Sequence, residues 1–316
     1  MRIFGSKPST PGGIFNKFLL CLALALTLAG QTLYAQQSDA DAKKLAEIRI
    51  KAEKGNAEAQ VEFGRILSHG KLGVAKDQAE AVKWFRKAAD QNNADAQNCL
   101  GFCYQYGIGA KKDQAEAVKW FRKAAEQNFA SAQFNLGACY MFGNGVEKEQ
   151  QEAVKWYLKA AEQNDVWSQF NLGTCYYNGN GVRQDVAEAV KWYRKAAEQN
   201  YVLAQDVMGD LYGSGIGMSQ DLTEAVKWYR KAAEQNFAPA QRKVGEAYFK
   251  GIVVEKNMTE AYKWFLLAVT QGDDDAKARV RYLEKKLKKD QIAEVKKQVA
   301  EWTQQYKKVT NQKELP

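Results

Sequence analysis

One histidine, His69, occurs in 316 residues. That excludes any site built on two imidazoles, whether a zinc centre or a paired general acid and base. Proline is scarce too, at four residues, which leaves the chain free to form helices. No strong excess of one charge is present. The formal net charge is +9, but acids and bases interleave through most of the chain, which argues against nucleic acid as a partner. The apolar run from Phe18 to Ala29 falls short of the about 20 residues that a helix needs to cross a bilayer.

That run has another meaning. Arg2, Lys7 and Lys17 precede it, and Leu33-Tyr34-Ala35-Gln36 follows it, with the small Ala35 at the cleavage edge. The pattern predicts a secretory signal peptide over 1–35 and an exported, periplasmic or secreted chain beginning near Gln36. The long stretch before the run leaves an uncleaved anchor as the alternative. Cys21 lies inside the run without the small neighbours of a lipid-attachment site. Removing the leader's three basic residues, which no acid opposes, lowers the net charge to +6.

Cys99, Cys103, Cys139 and Cys175 remain in the exported chain. An even count in such a chain suggests disulfides. Yet Cys103, Cys139 and Cys175 stand 36 residues apart, as if one packing niche were filled three times by a small apolar side chain. Cys99 and Cys103 share a helix face, close enough to pair only with strain. Buried free thiols are the first reading and a Cys99–Cys103 bridge the second.

The same interval organises the chain. Trp84, Trp120, Trp156, Trp192, Trp228 and Trp264 are each 36 residues apart, and each is followed by Phe or Tyr. Gly64, Gly101, Gly137, Gly173, Gly209 and Gly245 form a second series, whose first step is 37 because the Gly70–Gly73 loop holds an extra residue. Six units result, at 57–93, 94–129, 130–165, 166–201, 202–237 and 238–273. Each carries two helical patterns. In the third, Ala132, Leu136 and Tyr140 form the stripe of a first helix over Ala130 to Phe142, which Gly143-Asn144-Gly145 breaks. A second helix runs from about Gln150 to Gln163, with Ala153, Trp156, Tyr157, Ala160 and Ala161 on its stripe. Glu152 and Lys155 lie off the stripe, spaced to pair, and Asn164 closes the helix in a left-handed conformation.

Glycine inside a helix costs roughly 0.5–1 kcal/mol against alanine. Its recurrence at one position therefore signals a steric need: the second helix of the same unit approaches there. Alanine pairs such as Ala160-Ala161 serve the facing side, and each tryptophan fills the groove between one helix pair and the next. A lone pair cannot bury both its faces, so stacking is obligatory. The ends are atypical. Residues 36–56 read as an N-terminal capping helix, a lone second helix with Ile48 at the tryptophan position. Residues 274–316 read as a C-terminal helical cap and tail. There Ala276 and Val280 echo a first helix, Arg281 replaces the glycine, and 290–308 carry Ile292, Val295, Val299 and Trp302 on an amphipathic helix. The expected fold is all-α: a solenoid of six 36-residue helix-pair repeats between two caps.

The unit resembles the Sel-1-like repeat, a branch of the tetratricopeptide-like α/α solenoids. The third unit carries the match in Ala132-Gln133, Leu136-Gly137, Tyr140, Gly143-Asn144-Gly145-Val146, Glu152-Ala153, Trp156-Tyr157 and Lys159-Ala160-Ala161. The first unit departs most, with Phe63 for the leucine and Leu67 for the tyrosine, and the second has Ala110 where valine is usual. The resemblance covers 57–273. It implies a right-handed superhelix with first helices on the concave side. It also implies a non-enzymatic scaffold or adaptor of the bacterial envelope, without cofactor, that binds a protein or peptide. Cysteine-rich relatives in Helicobacter imply the alternative, a cell-wall or β-lactam-related hydrolase or binding protein. Those relatives carry a regular disulfide within each repeat, a pairing this chain lacks.

Other motifs carry little chemistry. Gly107-Ile108-Gly109 and its counterparts follow helices rather than strands, so they are turns and not phosphate cradles. Ser68-His69-Gly70-Lys71 fits the Ser-x-x-Lys pattern, but it lies in an irregular loop without the companion motifs. His69 with Cys103 would form a nucleophile–base pair, yet Cys139 and Cys175 fill the same niche with no histidine near. A four-cysteine zinc site fails because stacked first helices stand about 8–10 Å apart. The tryptophans, in strict register, are core rather than a stacking platform for bases or sugars.

Binding belongs where the units differ, on variable first-helix positions. Phe102, Tyr106, Phe134, Phe142, Trp167, Phe170 and Tyr177, with Met141, form an apolar strip on units two to four, flanked by Asp206 and Asp210. Aromatic anchors of this kind grip partner proteins; packing against the next unit is the competing account. Lys285, Lys286, Lys288 and Lys289 offer a separate, weak contact for an anionic surface.

Overall fold

The computed structural model describes residues 39–313, and every regular element among them is a helix. Helix α1 covers 39–53. Six pairs follow: α2 (Ala57–His69) and α3 (Gln78–Asp90); α4 (Ala94–Tyr106) and α5 (Gln114–Glu126); α6 (Ala130–Phe142) and α7 (Gln150–Glu162); α8 (Val166–Asn178) and α9 (Val186–Glu198); α10 (Val202–Ser214) and α11 (Leu222–Glu234); α12 (Ala238–Lys250) and α13 (Met258–Thr270). Helices α14 (Asp274–Glu284) and α15 (Lys289–Lys313) close the array. The segment 1–35, where a leader is expected, lies outside the described residues.

Local chemistry sets the helix ends. Asp77, Asp113, Asp185, Asp221 and Asn257 cap the second helices by accepting a backbone N–H from the first turn, the usual task of a short polar side chain at that position. First helices stop at glycines in the left-handed region, such as Gly143 at φ 74°, which a residue without Cβ adopts at no steric cost. Asn164, at φ 64°, makes the left-handed turn expected of it. Glu152 and Lys155 pair at 2.8 Å. Val253 also holds a left-handed φ, 64°, where Gly145, Gly181 and Gly217 stand in earlier repeats.

The chain forms two compact units: one runs to Cys103 and includes Gly107–Lys111, the other holds Tyr104–Tyr106 and everything from Lys112 onward. In the first, Ile48 and Ala52 of α1 are buried, Phe63 packs edge-on against Trp84 at 5.2 Å, and a Cβ at Gly64 would lie 2.6 Å from the Phe85 ring. The second unit repeats that steric device. A Cβ at Gly137 would come within 2.8 Å of Tyr157, one at Gly173 within 2.9 Å of Tyr193, and one at Gly245 within 2.9 Å of Phe265. The recurrent helical glycine thus admits the aromatic side chain that follows each tryptophan. Trp228 packs with Val190, Ala197 and Leu211 of the preceding α9 and α10, filling the groove between pairs.

Two inter-repeat devices were not visible as such in the sequence. The first is a buried glutamine in every first helix. Gln169 donates to the Ala161 carbonyl of α7 at 3.2 Å and accepts from Gln199, at the end of α9, at 2.7 Å. Gln133 and Gln205 repeat the arrangement. One amide so ties three helices together and satisfies both of its own polar ends at the seam. The second is the last glycine of each Gly-x-Gly loop. A Cβ at Gly145 or Gly181 would collide with the Gln114 or Gln150 carbonyl of the previous second helix. These loops are therefore packing surfaces as well as turns.

At the C-terminus α14 takes a first helix's place, with Ala276, Val280 and Leu283 buried. In earlier repeats a lysine lies over the tryptophan ring, Lys195 over Trp192 and Lys231 over Trp228 at 4.0 Å each. In α13 that position is Leu267, fully buried, and α15 covers the face: Trp302 meets Trp264 edge-on at 5.9 Å, with Val295 and Val299 buried beside them.

Candidate partner-binding site

The seven aromatic residues singled out from the sequence do not form one uniform strip. Phe102 belongs to the first compact unit and the other six to the second; Phe102 is 46% exposed. Tyr106 and Phe142 end their first helices, at equivalent positions 36 residues apart. They are 57% and 68% exposed. Trp167, in the first turn of α8, is 51% exposed where other repeats carry Asp95 or Ser131.

Phe134, Phe170 and Tyr177 are half-buried. Phe134 lies 5.9 Å from Tyr157 of its own repeat. Phe170 lies 5.4 Å from Tyr193 and 5.1 Å from Tyr201, and Tyr201 in turn holds Trp167 edge-on at 4.8 Å. Tyr193 donates to Thr174 at 3.1 Å. The face of α8 is thus layered. Phe170, Tyr193 and Tyr201 form a fixed floor, and Trp167 stands on it with its orientation set by edge-on packing. The strip residues therefore divide: Phe134 and Phe170 pack on tyrosines, whereas Phe142 and Trp167 present apolar surface outward. Met141, placed on the strip by sequence, is buried, because it falls on the side of α6 turned toward the core.

The two flanking acids are engaged by later helices. Lys243 of α12 reaches both Asp206 and Asp210, at 2.9 and 2.7 Å, and Tyr229 donates to Asp210 at 2.7 Å. Burial raises the Asp206 carboxyl above its usual range while Lys243 opposes that rise. Further along, Arg242 pairs with Asp273 at 3.0 Å and Arg279 with Glu246 at 2.7 Å. The first-helix face of the last repeats is a self-neutralised ladder, not a free acidic rim.

The thiols are held away from chemistry. Cys99, Cys103, Cys139 and Cys175 are free. Burial pushes Cys103, Cys139 and Cys175 up to about 11 and Cys99 up to about 12, so none is a thiolate nucleophile at neutral pH. His69 sets Nδ1 2.9 Å from the Arg65 carbonyl of its own helix. Arg65 pairs with Asp95 at 2.6 Å beside Cys99. Ser68 sits at the end of α2, not at the helix start that a Ser-x-x-Lys nucleophile occupies.

The family model described as Sel1 repeat matches residues 57–93, 94–129, 130–165, 168–201, 202–237 and 238–273. Among curated proteins none matches. Two crystal structures are among those similar to this chain. A protective antigen present in uropathogenic Escherichia coli strains, displaying an SLR fold, is 36% identical with a TM-score of 0.70, over 80% of this chain and 56% of its own. The chain therefore spans little more than half the length of that antigen. A Sel1 repeat protein from Oxalobacter formigenes is 39% identical with a TM-score of 0.64, over 69% of this chain and 89% of its own.

Proposed function

Because the chain belongs to the Sel1 repeat family, in general a family of protein-interaction scaffolds, we propose that it is a non-enzymatic adaptor of the bacterial cell envelope. In this reading it grips a partner protein on the first-helix face of α6 and α8. The observation that carries the site is Trp167, half in solvent and oriented by Tyr201, with Phe142 exposed on α6. Packing on Tyr201 uses only part of the ring, and an interface uses such a pre-oriented, half-exposed tryptophan as an anchor whose ordering cost is already met. The signal-peptide pattern before Gln36 and the likeness to a bacterial protective antigen support the envelope setting.

The test is a pull-down from the native envelope with two baits, the wild-type chain and a Trp167→Ala, Phe142→Ala variant. Both side chains project from the packed layer, so the variant keeps its circular dichroism spectrum. A partner retained by the first bait is lost by the second, with affinity reduced roughly thirtyfold or more, as for an interface hot spot of about 2 kcal/mol. Equal capture by both baits sinks the reading.

A further inference from the structure

Positive charge is unevenly placed along the chain. Residues 274–316 hold 12 Lys and Arg against 7 Asp and Glu, whereas residues 36–273 hold 31 against 30. Nearly all the net charge of the exported chain therefore sits at one end. Its densest part is the junction between α14 and α15, where Lys285, Lys286, Lys288 and Lys289 are all exposed.

The junction is ordered. The Lys286 and Leu287 amides donate to the Leu283 carbonyl at 2.9 Å each, and the Lys288 amide donates to the Gln291 side chain at 3.0 Å. Leu287 packs into the core cluster of α13 to α15, which holds the flanking lysine pairs at the surface. The neighbouring acids are engaged elsewhere. Glu284 accepts from Lys296 and from the Tyr262 hydroxyl, at 3.0 Å each, and Asp290 accepts the Gln291 amide at 3.0 Å.

Helix stability does not explain the second lysine pair. A helix N-terminus carries a partial positive charge and favours acids. From α2 to α14 each N-cap is acidic, amide-bearing or aromatic, as with Asn56, Asp113, Glu149 and Tyr201. Among these described helices α15 alone starts on bases, Lys288 before it and Lys289 as its first residue. These side chains oppose the local field of the helix, which Asp290 in the first turn offsets, so capping does not account for them.

We propose that the α14–α15 junction docks on an anionic lipid membrane and holds the array against it. Two features favour lipid headgroups over a nucleic-acid backbone. The four residues are lysines, point charges without the planar fork that reads fixed phosphates, and such clusters suit a fluid anionic surface. Tyr282 is exposed beside them, with Lys286 5.9 Å from its ring; an amphipathic ring next to lysines is the composition of a membrane interface.

The experiment is co-sedimentation of the full chain with phosphatidylcholine vesicles, with and without phosphatidylglycerol, against a variant carrying Lys285→Gln, Lys286→Gln, Lys288→Gln and Lys289→Gln. Wild type binds the anionic vesicles and is released by raised salt, as screening requires. A lysine near such a surface is worth about fivefold in binding, so the variant binds them at least ~10-fold more weakly. Its melting temperature is unchanged or higher, because two of the changes relieve the N-terminus of α15. A parallel arm with Lys297→Gln, Lys307→Gln, Lys308→Gln and Lys313→Gln removes the same four charges elsewhere on α15 and keeps most of the binding. Three outcomes overturn the proposal: equal binding to neutral vesicles, no loss in the fourfold variant, or equally tight, lysine-dependent binding of a single-stranded oligonucleotide. The last would make the junction a nucleic-acid site instead.

Discussion

Single side chains in this protein act by joining helices that are far apart in sequence. Gln169 donates to α7 and accepts from the end of α9, so replacing it removes both bonds, while the Ala161 carbonyl keeps the Asn164 amide and Gln199 is exposed to water. Gln169→Met lowers stability by about 1–3 kcal/mol, the net worth of two hydrogen bonds. Gln241 is the informative contrast. Its amide nitrogen reaches Ala233, but its carbonyl oxygen is buried without a partner, because Gln271 turns to Thr270 instead. Gln241→Met costs less than Gln169→Met, and urea denaturation of the two variants measures the difference. The thiols make a second residue-scale prediction. Burial raises Cys103, Cys139 and Cys175 from the ordinary 9.0 to about 11, so the folded chain holds these protons more tightly than the unfolded chain. Their contribution to stability is complete below pH 9 and is lost as the pH rises from about 9 to about 11. The urea midpoint falls across that window, and Cys175→Ala makes the fall shallower.

At the scale of the element, each helix needs a specific neighbour, and the last one shows what happens when the next repeat is absent. Helix α13 exchanges the lysine that shields its tryptophan for Leu267, which makes the whole outer stripe apolar. Helix α15 covers it, joined by the Trp302–Trp264 contact and by the Tyr306 hydroxyl on the Gln235 carbonyl at 2.9 Å. Trp302→Ala removes the largest side chain from that seam. The expected loss is about 2–3 kcal/mol, somewhat below a fully buried tryptophan because Trp302 is half-exposed. Hydrogen exchange resolves the effect: protection falls in α13 to α15 and is unchanged in α6 to α9, since a repeat feels only its neighbours.

For the molecule as a whole, nearest-neighbour packing makes the repeats removable units. Deleting 166–201 joins Asp165 to Val202 and presents Ala161 and Asn164 to Gln205, in place of Ala197 and Asn200, its present partners at 3.2 and 3.4 Å. The shortened chain folds, and its urea m-value falls by roughly an eighth, in step with the surface it no longer buries. It also lacks Trp167, Phe170 and Tyr177, so it loses the partner captured by the wild-type chain.

The fold was legible in the sequence because its signals are local and repeated. The 36-residue interval of tryptophan and glycine, the Gly-x-Gly breaks and the left-handed asparagines each act within a few residues of themselves, and together they set the helices α2 to α13. The steric role of Gly137 was readable too, since no other cause recurs so strictly in helix interiors. The site was legible only in part. An aromatic at a variable position reads alike whether it faces solvent, as Phe142 does, or packs on a tyrosine, as Phe134 does. Spacing alone did not show that Lys243, 33 to 37 residues later, reaches both Asp206 and Asp210. The glutamine seams depend likewise on atoms 30 residues apart. Periodicity determines which residues form each helix and which stripe turns inward. Only the tertiary structure decides which outward groups are already satisfied by the next helix, because that depends on side-chain reach across the stack and not on spacing along the chain.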